Sequence, residues 1–168
     1  MAEFLFAATH IIGVKMTYKK ENVRVLPDDT DSFGRLNWLA YLRYCEEGEA
    51  GVFEKIGFSA TRFYKERNIS FPRRAANFEY CSQVSPDSFV DIETTIKRIG
   101  KTSFTLLHTF YKKSAENGER SFAASAEVTV VAFDHRVYQK TDLPKEFLEG
   151  MKRIERSELD RKRVRCIS

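Results

Sequence analysis

The spacing of apolar residues changes period along the chain, and the changes mark out its elements. From Asn22 to Leu26 apolar and polar residues alternate and β-branched valine recurs, which predicts a first strand ahead of the turn residues Pro27, Asp28 and Asp29. Between Asn37 and Ile56 there is no proline, and Trp38, Tyr41, Leu42, Cys45, Val52, Phe53 and Ile56 recur at helical spacings of three and four. Gly48 and Gly51 fall inside this long helix. Each costs about 1 kcal/mol against alanine there, so the helix backbone is expected to press against a flat partner, a sheet. Ser59 to Glu66 predicts a short helix.

Strand-like runs then cover Ile69 to Val84, Phe89 to Ile99, Ser103 to Lys112 and Ser121 to Phe133, separated by the turn-rich stretches SPDS, GK and SAENGE. Short turns between long strands predict an antiparallel meander. In the last run Phe122, Ala124, Ala126, Val128 and Val130 share a face, with small residues where a helix can approach. Pro144 to Ile154 reads as a closing helix. The order is β, long α, then four β: an α+β arrangement with a curved antiparallel sheet around one central helix. No repeat, linker or low-complexity tract divides the 168 residues, so they are read as a single domain, with residues 1–15 as an extension and Met16 as a second candidate start.

Composition narrows the picture further. The chain is 42% hydrophobic, enough for a sizeable core, yet no run of 18 apolar residues exists to span a membrane, and the apolar start lacks the basic residues and cleavage site of a secretory signal. Its net charge of +4 sits entirely in the tail from Lys152 onward, where seven basic residues face three acidic ones; the rest balances to zero. No basic face for nucleic acid is therefore expected, and the basic tail, 155–168, reads as a solvated helix end. Cys45, Cys81 and Cys166 are odd in number and widely spaced, which fits neither a disulfide framework nor a zinc site and points to a reducing cytoplasm. No metal is expected.

Candidate chemistry gathers before the long helix. Asp28, Asp29 and Asp31 precede it, with Gly34 allowing a tight turn. A helix N-terminus carries unpaired amides and partial positive charge that can polarise a carbonyl oxygen, while a nearby carboxylate can attack or activate water. The plainer alternative is that these aspartates cap the helix and fill a turn. Glu46, Glu47 and Glu49 form a second carboxylate set within the helix, of which Glu46 is the candidate to face a cleft or neighbouring subunit. His108 lies among apolar strand neighbours and reads as structural, as does Cys45 on the apolar helix face; His10 and His135 are remote in sequence.

The stretch DTDSFGRLNWLAYLRYCEE, Asp29 to Glu47, resembles the signature of the 4-hydroxybenzoyl-CoA thioesterase family of hotdog proteins, and the similarity continues through DSFVDIETTIKRIGKTSFTLLHTFYK. The resemblance implies a hotdog fold and hydrolysis of an acyl-CoA or acyl-carrier-protein thioester. It places the catalytic carboxylate on Asp31, the family glycine on Gly34, the carbonyl-polarising amide on Trp38, and helix-start positions on Asn37 and Tyr41. Coenzyme A enters as part of the substrate, with no other cofactor. The basic residues Arg73, Arg98 and Lys101 are the candidates for its phosphates. The chain departs from the family pattern at Arg35 and Trp38. Two alternatives stand beside hydrolysis: a hotdog hydratase or dehydratase, although no histidine follows Asp31 until His108, and a non-catalytic acyl-CoA-binding module. Exposed sheet edges predict a homodimer at least; the resemblance implies sites between subunits and extends the assembly to tetramers.

Overall fold

In the computed structural model, residues 17–114 and 118–153 are described. The N-terminal extension, Met16, His10, Cys166 and the tail from residue 155 lie outside them. Strand β1 spans Thr17–Arg24, helix α1 Trp38–Ile56 and helix α2 Ala60–Arg67. Then come β2 (Ile69–Ser70), β3 (Arg73–Tyr80), β4 (Phe89–Ile99), β5 (Ser103–Lys113), β6 (Arg120–Val131), β7 (Phe133–Asp134) and β8 (Gln139–Lys140). Residues 145–153 form a last helix, α3.

The main sheet is antiparallel, in the order β1-β4-β5-β6-β3, with the β4-β5-β6 meander at its centre. Helix α1 lies across its inner face. Buried Tyr41, Tyr44, Cys45, Gly48, Val52 and Ile56 supply the helix side of this contact, facing Val90, Ile92, Leu106, Phe110, Ala124 and Ala126. This is the predicted hotdog arrangement. Trp38, assigned to the apolar stripe from its spacing, is instead 63% exposed at the start of the helix.

The two helical glycines explain how close the layers come. A β-carbon on Gly48 would stand 2.1 Å from Thr94 Oγ1 and 2.9 Å from His108 Nδ1, inside the sheet. One on Gly51 would stand 2.2 Å from the ring of Tyr18 on β1. At the far end of α1, Gly57 closes the helix in the left-handed region (φ 67°), and Arg153 Nη2 donates to the Ile56 carbonyl at 2.8 Å. Arg153 is thus a helix cap within a run of charge that its sequence marks only as solvated. Phe53, Phe58, Phe104 and Phe147 pack as one cluster there, with Phe147 completely buried and 4.8 Å from the Phe104 ring centre.

Three strand expectations are corrected. The first strand begins earlier than Asn22 because an edge strand tolerates the polar run from Tyr18 to Glu21; Lys19 pairs with Glu93 at 2.7 Å, and a bulge at Asn22 (φ 58°) shifts the register. The run Ile69 to Val84 is broken at Phe71-Pro72 into β2, which joins a second sheet in the order β2-β7-β8, and β3, which ends at Tyr80. Finally, β6 carries a bulge that buries both Ala123 and Ala124 and turns Phe122 outward, so Phe122 leaves the face inferred from alternation.

Gly48→Ala is expected to lower stability by about 1–3 kcal/mol despite alanine's better helix propensity, because Thr94 and His108 are buried and have nowhere to move. Gly51→Ala meets the ring of an edge-strand tyrosine that can swing aside, and a smaller loss is expected. Urea titration of both variants checks this; an unchanged Gly48→Ala midpoint would contradict the close approach.

Candidate active site

The chain between β1 and α1 is folded back on itself by its own aspartates. Asp29 is buried: its Oδ2 accepts the Leu26 amide at 3.1 Å, its Oδ1 pairs with Arg43 of α1, and its carbonyl accepts the Asn37 amide at 2.8 Å. Asp31 closes the next turn. Its amide donates to the Arg35 carbonyl at 2.7 Å, its carbonyl accepts from Gly34 at 3.0 Å, and Gly34 takes φ 69°, a conformation glycine adopts without strain. Oδ1 of Asp31 accepts the amides of Phe33 (2.9 Å) and Arg35 (3.0 Å). Oδ2 faces the Arg35 guanidinium, with Nε and Nη2 both at 3.2 Å. Desolvation alone raises the Asp31 carboxyl, but the two amides and the guanidinium together outweigh it and hold it below its ordinary value.

Helix α1 is started by neither aspartate. Asn37 is the cap: its side chain accepts the Ala40 amide at 2.8 Å and its carbonyl meets the Tyr41 amide at 3.5 Å. The amides of Trp38 and Leu39 begin the helix and have no carbonyl one turn earlier to accept them. They point the positive end of α1 toward the loop that carries Asp31. Turn-filling and chemistry are therefore compatible for Asp31, whereas Asp29 is wholly occupied in holding the loop to the helix.

A cleft of about 470 Å³ opens at this end of the molecule, lined by Asp31, Arg35, Asn37, Trp38 and Tyr41 on one side. Tyr80, Cys81, Ser82, Gln83 and Val84 line the other. This second wall is where the predicted strand gives out. The amides of Cys81 and Ser82 both turn onto the Ala123 carbonyl (2.9 and 3.0 Å), and the Val84 carbonyl then accepts Leu36 (2.8 Å), tying the wall to the loop. The sequence signal for it is the polar pair Ser82-Gln83 before Ser85-Pro86, which interrupts the strand pattern. Tyr41 forms a buried apolar floor, 5.2 Å from the Tyr80 ring, and burial followed by the neighbouring Tyr80 and Tyr44 pushes its hydroxyl up to about 12.

The remaining sequence candidates lie elsewhere in the chain. Glu46 is exposed and 3.9 Å from Arg73, outside the cleft; the buried helix carboxylate is Glu49, which the hydrophobic pattern did not single out, held by Arg73 at 3.0 Å. Burial raises the Glu49 carboxyl, a rise that Arg73 partly offsets. Arg73 starts β3, and its row of the sheet runs through Val130 and Phe104 to Ile99, beside exposed Arg98 and Lys101. The cleft lies at the opposite end, in the row of Tyr80, Ala124, Phe110 and Ile92. Lys101 sits 3.6 Å from Asp142. His108 is buried against Thr94 Oγ1 (2.9 Å) and takes no part in the cleft. Cys45 is likewise buried, and burial together with Glu49 and Glu46 raises its thiol to about 12. Among the described residues, no group of three or more His, Cys, Asp or Glu side chains is arranged to hold a metal ion.

A helix enclosed by one antiparallel sheet, with an aspartate loop at its N-terminus, defines the hotdog class. The chain belongs to the thioesterase-like superfamily, whose sequence model matches residues 25–151. A 1,4-dihydroxy-2-naphthoyl-CoA hydrolase from Rippkaea orientalis is 22% identical over 130 residues, which are 77% of this chain and 92% of that protein. Two solved structures show the same fold. A 4-hydroxybenzoyl-CoA thioesterase from Pseudomonas superposes with a TM-score of 0.69 at 23% identity, covering 81% of this chain and 98% of the other. A 1,4-dihydroxy-2-naphthoyl-CoA thioesterase from Synechocystis gives 0.66 at 18% identity, covering 82% and 95%.

His108 supplies a pH test of this packing. Its imidazole is lowered from 6.5 to about 4, first by burial and then by Arg73. A depressed folded value favours the neutral ring, so its contribution is complete above pH 6.5 and is lost as pH falls toward 4, by about 3 kcal/mol. His108→Asn is expected to lose less stability than the parent across that window in chemical denaturation. Parallel losses would contradict a neutral buried histidine.

Proposed function

We propose that the protein hydrolyses an acyl-CoA or acyl-carrier-protein thioester, with Asp31 as its catalytic carboxylate and the first amides of α1, at Trp38 and Leu39, as the partners of the carbonyl oxygen. The observation that carries this reading is the meeting, in one cleft, of a charged carboxylate and an open helix N-terminus. Membership of the superfamily and the thioester chemistry of the named relatives support it. With the thioester carbonyl against the helix start, charge developing on its oxygen is met by N–H dipoles already in place. Asp31 then either attacks the carbonyl carbon, expelling the thiolate and leaving a mixed anhydride that water hydrolyses to free the acid and Asp31, or takes a proton from a water that attacks the carbon, the C–S bond breaking to release the thiolate and the acid. The chemistry calls on no metal and no cofactor beyond the coenzyme A of the substrate.

The site is proposed to be completed by a second copy of the chain. Strand β3 pairs with β6 on one edge only, and nearly all of its residues are exposed; Phe33, Trp38, Leu39 and Tyr80 add exposed apolar surface around the cleft. Antiparallel pairing of β3 with itself about a two-fold axis would set the partner's Arg73 near Tyr80, and with it the partner end that carries Arg98 and Lys101. The partner's Arg73 would then border the cleft, with Arg98 and Lys101 three strands further from the pairing edge, as candidates for the distal phosphates of coenzyme A. The free thiols of Cys45 and Cys81 support a cytoplasmic setting. No described helix is long and apolar enough to cross a membrane. Among the described residues of one chain no histidine lines the cleft, which counts against the hydratase alternative.

Asp31→Asn keeps an oxygen for the Phe33 and Arg35 amides and is expected to fold normally, yet to lose roughly 10²–10⁴-fold in thioester turnover. Assays over short, long and aromatic acyl-CoAs check this. Unchanged turnover would remove Asp31 from the mechanism, and binding without turnover in the unaltered protein would favour a binding module. Activity per chain is expected to fall as the protein is diluted to monomer; full activity from a demonstrated monomer would contradict a shared site.

A further inference from the structure

The Asp31 carboxylate is not symmetric in its surroundings. Each carboxylate oxygen offers about two lone pairs. Those of Oδ1 are taken by the amides of Phe33 and Arg35, which are part of the turn itself. Oδ2 accepts a single hydrogen bond, from Arg35 Nε at 3.2 Å, with Nη2 an ion-pair contact at the same distance, so it keeps a lone pair and is the oxygen left to meet a carbonyl carbon or a water molecule. The Arg35 guanidinium carbon also lies 4.9 Å from the centre of the exposed Phe33 ring. Arg35 lines the cleft as well. We propose that Arg35 is a positioning residue for the reaction: lying over Phe33, it orients Oδ2 of Asp31 as the reacting oxygen and supplies the carboxylate's counter-charge.

The proposal rests on Asp31 being the catalytic carboxylate. Other charged or titratable groups around the loop do not duplicate Arg35. Asp28 and Asp29 share its segment, and Asp29 is already paired with Arg43 from α1. Tyr41 from α1 holds a proton well past neutrality, and Tyr80, at the end of β3, is also raised by burial; Cys81 completes that wall. Among the described residues, Arg35 is the cation that pairs with Asp31. Its hold has a definite sign. Hydrogen bonds and charge that favour the ionised carboxylate lower its midpoint, so the charged form, and activity with it, persists to lower pH than without the guanidinium.

Replacing the side chain leaves the turn intact, because the bonds that close it use the Arg35 amide and carbonyl. The test is a carbon-13 NMR titration of the Asp31 carboxyl in the full chain, for the parent, Arg35→Met and Arg35→Lys, alongside pH profiles of kcat/KM. In Arg35→Met the Asp31 midpoint and the acid limb of kcat/KM are expected to move together to higher pH, with Arg35→Lys between. An unmoved midpoint overturns the proposal, as does a midpoint that moves while the acid limb stays. Asp31→Asn, measured in parallel, separates the two levels. Loss of turnover there with an unmoved Arg35→Met midpoint removes Arg35 alone, whereas unchanged turnover removes Asp31 and the proposal with it.

Discussion

Everything in this molecule follows from how closely one helix lies on one sheet. Without β-carbons at Gly48 and Gly51, α1 settles onto Thr94, His108 and Tyr18 so closely that a larger side chain needs its neighbour to move, which the buried pair facing Gly48 resists most. That contact fixes the helix axis against β4 and β5, and the chain around it has little freedom. The C-terminal end of α1 is sealed by the phenylalanine cluster, Gly57 and Arg153. Its N-terminal end is left at the margin of the sheet, where β3 has already ended.

The cleft is what remains between those two endings. One wall is the loop that Asp29 ties to α1, and the other is the segment that leaves the sheet after Tyr80. Division of labour among the acidic residues follows from burial. Asp29, enclosed and paired with Arg43, anchors the loop; Asp31, one turn later, keeps a third of its side chain exposed and lines the cleft. Glu49 is spent on Arg73 beneath the open edge, and Glu46 looks outward. Position in the fold, not residue type, sorts four carboxylates into different roles.

Much of the fold was legible in the sequence because its strongest signals are local. The proline-free helical period from Asn37 to Ile56, the two glycines within it, and the paired long strands after residue 88 all follow from side-chain spacing, and the structure places them as expected. The failures are equally physical. Period-two reading cannot see a bulge, so Phe122 was placed on the wrong face; it cannot see that Pro72 divides one apolar run between two sheets. The carboxylate loop stood out, but the wall opposite it did not, since Cys81 to Val84 acquire meaning only when the chain returns to Leu36. Arg73, Arg98 and Lys101 lie far from Asp31 within the chain, which no reading of spacing along one strand could reveal.

In the proposed mechanism the thioester carbonyl sits between the start of α1 and the Asp31 carboxylate. A crystal structure with an acyl-CoA analogue whose thioester sulfur is replaced by a methylene group tests it most directly, since the ketone keeps the carbonyl and cannot be hydrolysed. The carbonyl oxygen is predicted to lie about 3 Å from the Trp38 or Leu39 amide, with its carbon facing Oδ2 of Asp31. An analogue bound with its carbonyl turned away from both, or bound outside this cleft, would contradict the assignment.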